Sequence, residues 1–203
     1  MQLFLNEVIG TLVQLILFLI IPILWWGLTA RKEENFLSWI GLKKVKTRVR
    51  KKFWYVYTVS VFCFMVLSIF ILFLVRGTET AASAFTATGV SAFPAAIVYS
   101  FGHTALAEEL LFRGFLCKRF VLKFGFVAGN FMQSTLFGVM HGVMFYSSVG
   151  LGAAILIVLF TGAVGWCLGY INEKCSDGSI LPGWTIHGMA NLFSAAAAMF
   201  TWL

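Results

Sequence analysis

The sequence predicts an all-α fold, a polytopic transmembrane helix bundle of about six spans with short re-entrant or peripheral helices. Three observations predict it: the composition, a series of long uncharged runs, and the placement of the basic residues between those runs. Of 203 residues, 60% are hydrophobic and 11% charged, against about 45–50% and about 25% in an ordinary soluble domain. That composition excludes a water-soluble globular enzyme. It also excludes a disordered chain despite the net charge of +7, because disorder requires low hydrophobicity as well. The length fits a single integral membrane domain over 1–203, without room for a separate soluble one.

A spanning helix needs about 20 mostly apolar residues. Val8 to Ala30 and Phe53 to Val75 are uncharged runs of 23 residues each. The first does not read as a cleavable signal peptide: no basic segment precedes it, it is too long, and Trp25-Trp26 replaces a small-residue cleavage site. Thr80 to Ala107 lacks Asp, Glu, Lys and Arg. Phe124 to Asn172 is uncharged for 49 residues, too long for one span and right for two, with a break at Tyr146-Ser147-Ser148-Val149-Gly150. Gly178 to Leu203 is the last run. The expected spans are 8–30, 53–75, 94–120, 124–146, 149–171 and 179–203.

With alternating spans, the basic loops 31–52 and 113–123 and Lys174 fall on one side, leaving only Arg76 opposite. The positive-inside rule makes that side cytosolic and the protein a multi-pass protein of the cell membrane. It also accounts for the basic loops without nucleic acid. Trp25, Trp26, Trp54, Tyr55, Tyr57, Tyr146, Tyr170 and Trp202 sit near span ends, as interfacial anchors do. The four cysteines show neither zinc spacing nor a disulfide framework.

An ionisable residue at membrane depth costs at least about 2.5 kcal/mol, so each is a candidate for function. Three clusters stand out. In Glu108-Glu109-Leu110-Leu111-Phe112-Arg113, Glu109 and Arg113 are one turn apart and suited to pair, which leaves Glu108 without a local cation. In Phe137-Gly138-Val139-Met140-His141-Gly142, Phe137 and His141 share a face, and Gly138 and Gly142 allow a neighbouring backbone to come close. In His187-Gly188-Met189-Ala190-Asn191, His187 and Asn191 face the same way. Each cluster alone also reads as ordinary packing, a helix-end ion pair or interhelical hydrogen bonding. His103 has no patterned partner and reads as an interfacial or core residue. Gly162, Gly165 and Gly169 mark a close-packing face of the fifth span.

Together and in this order, EExxxR, FxxxH and HxxxN resemble the CPBP family, the CAAX-protease and bacteriocin-processing (Abi) membrane proteins, over roughly Ser100 to Ala195. The resemblance implies an intramembrane glutamate protease that cleaves a peptide or protein substrate, membrane-associated or lipidated, within the lipid bilayer. It implies catalytic roles for Glu108, His141, His187 and Asn191. Glu108 would act as general base on a water shared with His141, while His187 and Asn191 would bind the oxyanion. Glu109, Arg113 and Phe137 would support the site, with no metal or other cofactor. The chemistry is coherent, since hydrolysis needs a base, a positioned water and donors for the developing oxyanion.

One geometric condition follows. At about 1.5 Å per residue, a third span ending at Ala107 would put Glu108 and His141 on different levels. A helix from Pro94 to Phe120 brings them to one depth and makes Thr80 to Phe93 a separate loop or short helix. Two other readings compete. Glu108, His141 and His187 could ligate a catalytic zinc, although no HExxH motif is present. Alternatively, the buried groups could serve a transporter, a scaffold or an immunity protein.

Overall fold

The computed structural model describes residues 1–47 and 50–202. Arg48, counted in the basic loop 31–52, and Leu203, the end of the run 179–203, lie outside them. The described residues form a membrane helix bundle. Helix α1 is Gln2–Thr29, α2 the short Phe36–Ile40 and α3 Arg50–Leu74. Two single-turn helices, Ala81–Phe85 and Gly89–Ala92, fill the segment after α3. They are followed by a helix over 93–124, here α4, with Pro94 in its first turn. Helix α4 passes through Ala107 and Glu108 without a break.

Three helical runs are long and apolar enough to cross a membrane: Gln2–Thr29, Arg50–Leu74 and the 86-residue run Val90–Cys175. The last is folded twice. Gly125 (φ 77°, ψ 168°) and Gly150 (φ 77°, ψ 173°) leave helical geometry and divide it into α4, α5 (126–149) and α6 (151–175). Both sit in the left-handed half of backbone space, which glycine enters without strain. The final helix, α7 (Leu181–Met199), is not among the three. It carries His187 and Asn191, and much of it is buried among its neighbours. On α1, by contrast, only Glu7 and Pro22 are buried, and Ile9, Leu12, Ile16, Leu17 and Leu24 are more than half exposed. A face of that kind suits lipid rather than water.

At one end of the bundle, α2 starts with Asn35 accepting a hydrogen bond from the Ser38 amide and stops at Gly41. Trp39 and Ile40 pack there against Phe115 and Ile180. The Ile180 amide donates to the Gly41 carbonyl at 3.0 Å, and Lys118 Nζ reaches Glu173 at 2.8 Å. At the opposite end, Phe85 packs on Tyr99 and Met199, and the Ala87 amide donates to the Ala198 carbonyl.

Helices α5 and α6 meet through glycine. A β-carbon on Gly138 would collide with the Val158 carbonyl oxygen, and Gly162 Cα lies 3.2 Å from the same point. Backbone cannot yield as a side chain can, so Gly138→Ala should cost about 1–3 kcal/mol through overpacking. A lowered thermal midpoint in detergent is the expected result. Gly152→Ala, where nothing lies within 4 Å, should leave the midpoint unchanged or raised.

Candidate active site

The three sequence clusters meet in the middle of the bundle. Glu108 on α4 lies between two imidazoles. Its Oε2 is 3.9 Å from His141 Nε2 on α5 and 3.7 Å from His187 Nε2 on α7. Both separations exceed direct hydrogen-bond range. This Oε2 is shielded from solvent and finds no hydrogen-bond partner among the described residues.

The turns that present Glu108 are unusual. Val98–Leu106 and Glu109–Cys117 are bonded i→i+5, with Ala107 and Glu108 between them in ordinary α geometry. The plain α-helical turn assumed from sequence is therefore corrected: the helix is wider on both sides of the acid. Such turns are rare and concentrate at functional sites.

The neighbouring groups orient the rings. His141 Nδ1 lies 2.9 Å from the Phe137 carbonyl, an acceptor, so this nitrogen carries the proton and a neutral ring presents Nε2 as an acceptor. His187 Nδ1 lies 3.2 Å from Glu109 Oε1. Glu109 is fully buried, and its Oε1 is also 3.0 Å from Arg113. The Arg113 guanidinium stands 4.1 Å from the Phe137 ring centroid, and the Phe137 ring lies 4.5 Å from that of His141 and 6.0 Å from that of His187. Asn191 Nδ2 donates to Thr104 Oγ1 at 2.6 Å. All seven residues singled out by sequence are thus gathered around one locus.

A cavity of about 500 Å³ opens on this locus, lined at its base by Glu108, Phe137, His141, His187 and Asn191. Sequence reasoning missed Thr104, one turn before Glu108, which anchors the Asn191 amide. It also missed Tyr99, on the cavity wall. An apolar-looking stretch containing a lone Thr and Tyr offered no signal. His103, without a patterned partner in sequence, bonds Glu7 of α1 through Nδ1 at 2.7 Å. Ninety-six residues separate them, so no local pattern could have shown the pair.

Residues 89–193 match the family of type II CAAX prenyl endopeptidases, Rce1-like. The matched segment is more than half of the chain and contains every residue of the site. The chain belongs to the Rce1-like family. Neither the curated proteins nor the solved structures yield a match. Membership of the Rce1-like family makes this a membrane protein and an endopeptidase of the CAAX-protease type, acting on peptide or protein substrates.

Proposed function

We propose that this protein hydrolyses peptide bonds within the membrane using a water activated by Glu108, without a metal. The observation that carries the reading is the solvent-shielded, unpartnered Glu108 Oε2 set between two imidazole Nε2 atoms at 3.7 and 3.9 Å on the floor of a cavity. The groups are too far apart to bond directly, and a shared water would satisfy the unpartnered oxygen.

Glu108 takes a proton from this water while His141 Nε2 accepts its second hydrogen, which directs the oxygen lone pair to the scissile carbonyl. The oxyanion then receives donors from α7. Asn191 spends one amide hydrogen on Thr104 and keeps the other. With His187 Nδ1 donating to Glu109, Nε2 can donate only in the doubly protonated ring. In that state Glu108, Glu109, Arg113 and His187 sum to zero charge, which a low-dielectric interior favours. Collapse of the intermediate sends the proton from Glu108 to the leaving amine.

We place this chemistry in a cell membrane crossed by the six expected segments, with loops 31–52 and 113–123 cytosolic. Support comes from the basic residues gathered at one end and the apolar faces of α1 and α3. Substrates that are membrane-associated or lipidated fit a site reached from within the bundle.

The test is cleavage of a synthetic peptide mixture by purified protein in liposomes, read by mass spectrometry. Asn191→Ala should lower kcat on the order of 10²–10³-fold, as loss of one oxyanion donor does, with a smaller change in KM. The zinc reading rests on the convergence of Glu108 with two imidazoles. Among the described residues, however, no group of three or more His, Cys, Asp or Glu is arranged to hold a metal ion. Activity should therefore survive phenanthroline and EDTA; chelator-sensitive activity restored by zinc would establish the metal reading instead.

A further inference from the structure

The cavity is one-sided. From its floor at Glu108 it runs along Tyr99, His103 and Thr104 of α4 and Leu67, Ile71 and Val75 of α3, and ends at Glu79, Thr80 and Ala81. Glu79 and Ala81 are exposed, so the mouth is at the end of the bundle where α3 ends and α4 begins. On its flank, Met144 and Ser148 of α5 line the cavity and are also exposed on the outer surface of the bundle.

The other direction is closed. Below Glu108 lie Glu109 and Arg113, 0% and 1% exposed. Next to them is a packed layer including Phe53, Phe112, Leu168, Ile171 and Ile186. None of the residues of 31–47, 113–123 or 173–180 lines the cavity.

The cations are distributed in the opposite sense. At the closed end Lys118 Nζ donates to Glu173 and the Gly178 carbonyl, the backbone carbonyl of Lys43 accepts from Ser179 Oγ, and Arg119 covers Trp39. Arg76 is the only described Lys or Arg on the mouth side of Glu108. Lysine and arginine near span ends set orientation, and the end that carries them stays in the cytosol.

We propose that the mouth faces away from the cytosol, so that the substrate is an extracytoplasmic peptide segment: part of an exported or membrane-anchored chain that enters from the outer face or through the flank between α3 and α5. This rests on the hydrolytic reading for its chemistry, but not for its orientation. A prenylated C-terminus displayed in the cytosol would meet the sealed end. The closed layer would have to open by many ångströms before such a tail could approach Glu108.

Orientation is read without any cleavage. One cysteine at a time is added to the native four, Glu79→Cys or Ser148→Cys at the mouth and Lys44→Cys at the basic end, and each variant is exposed to a membrane-impermeant maleimide on intact spheroplasts. The unsubstituted chain supplies the background. Labelling of either mouth variant on intact cells, with Lys44→Cys labelled only after permeabilisation, is the expected result. The reverse pattern overturns the proposal. The substrate side is read by comparing new N-termini in membranes from cells carrying the wild-type chain or Glu108→Gln. Glu108-dependent termini should map to extracytoplasmic segments; a map confined to cytosolic segments overturns the substrate assignment. Mouth labelling from outside with no Glu108-dependent terminus at all would instead overturn the hydrolytic reading and leave the orientation standing.

Discussion

Glu108→Gln is expected to abolish peptide cleavage while leaving the protein folded. Gln matches the carboxylate in shape and can still contact a water, but it cannot accept a proton from one. General-base catalysis contributes typically 10²–10⁴ in rate. Here Gln cannot take that proton, and His141, whose Nδ1 is tied to Phe137 and whose Nε2 stays free to accept, is left to supply the residual rate. A drop on the order of 10³-fold or more, about 4 kcal/mol in activation free energy, is the expected outcome in the liposome peptide assay. The thermal midpoint should not fall, since the substitution removes a half-paired charge from a nearly buried position. Wild-type turnover by the variant would remove Glu108 from the chemistry and return the cluster to an ion-pair role. Glu108→Asp keeps the base but draws it back by one methylene, so it should retain part of the activity.

The largest effect on stability is expected at Arg113. Its side chain is 1% exposed, 3.0 Å from a carboxylate that is 0% exposed, and stacked over Phe137. Truncating one member of a buried pair typically costs about 3–5 kcal/mol, because the other charge is left uncompensated. In Arg113→Leu, Glu108 and Glu109 would share only His187. The midpoint in detergent should fall by about 10 °C, at roughly 2–4 °C per kcal/mol for a chain of this size. The double variant Glu109→Gln, Arg113→Leu should recover much of the loss, since it removes both charges. A double variant as unstable as the sum of the single ones would show that the two residues are not coupled. Activity should not recover with stability, because His187 then lacks the carboxylate that orients its ring.

Some of this was legible without coordinates. The class was legible because water forbids what the sequence carries: too few charges to solvate a surface, and apolar runs of membrane length. The family was legible in three short patterns, EExxxR, FxxxH and HxxxN, each with two of its named residues one helical turn apart and so on one face. Less was legible about the surroundings of those residues. Thr104 is a single hydroxyl in a weakly polar stretch, and its value to Asn191 depends on a contact 87 residues away. The Glu7–His103 pair spans 96 residues. The widened turns on either side of Glu108 have no signature in a hydrophobic pattern, because a five-residue and a four-residue turn bury nearly the same face.

By itself, then, the sequence determined that the chain is a helical membrane protein of the CAAX-protease type, because hydrophobicity and one-turn spacing are properties of neighbouring residues. Only the tertiary structure decided that Glu108 stands 3.7 and 3.9 Å from the two imidazoles, that Glu109, already suited by spacing to Arg113, also holds His187, and that the cavity opens at the end away from the cations. Each of these depends on how helices far apart in sequence are rotated against one another. That rotation is set by glycine contacts and buried pairs across the bundle, which no local stretch of sequence contains.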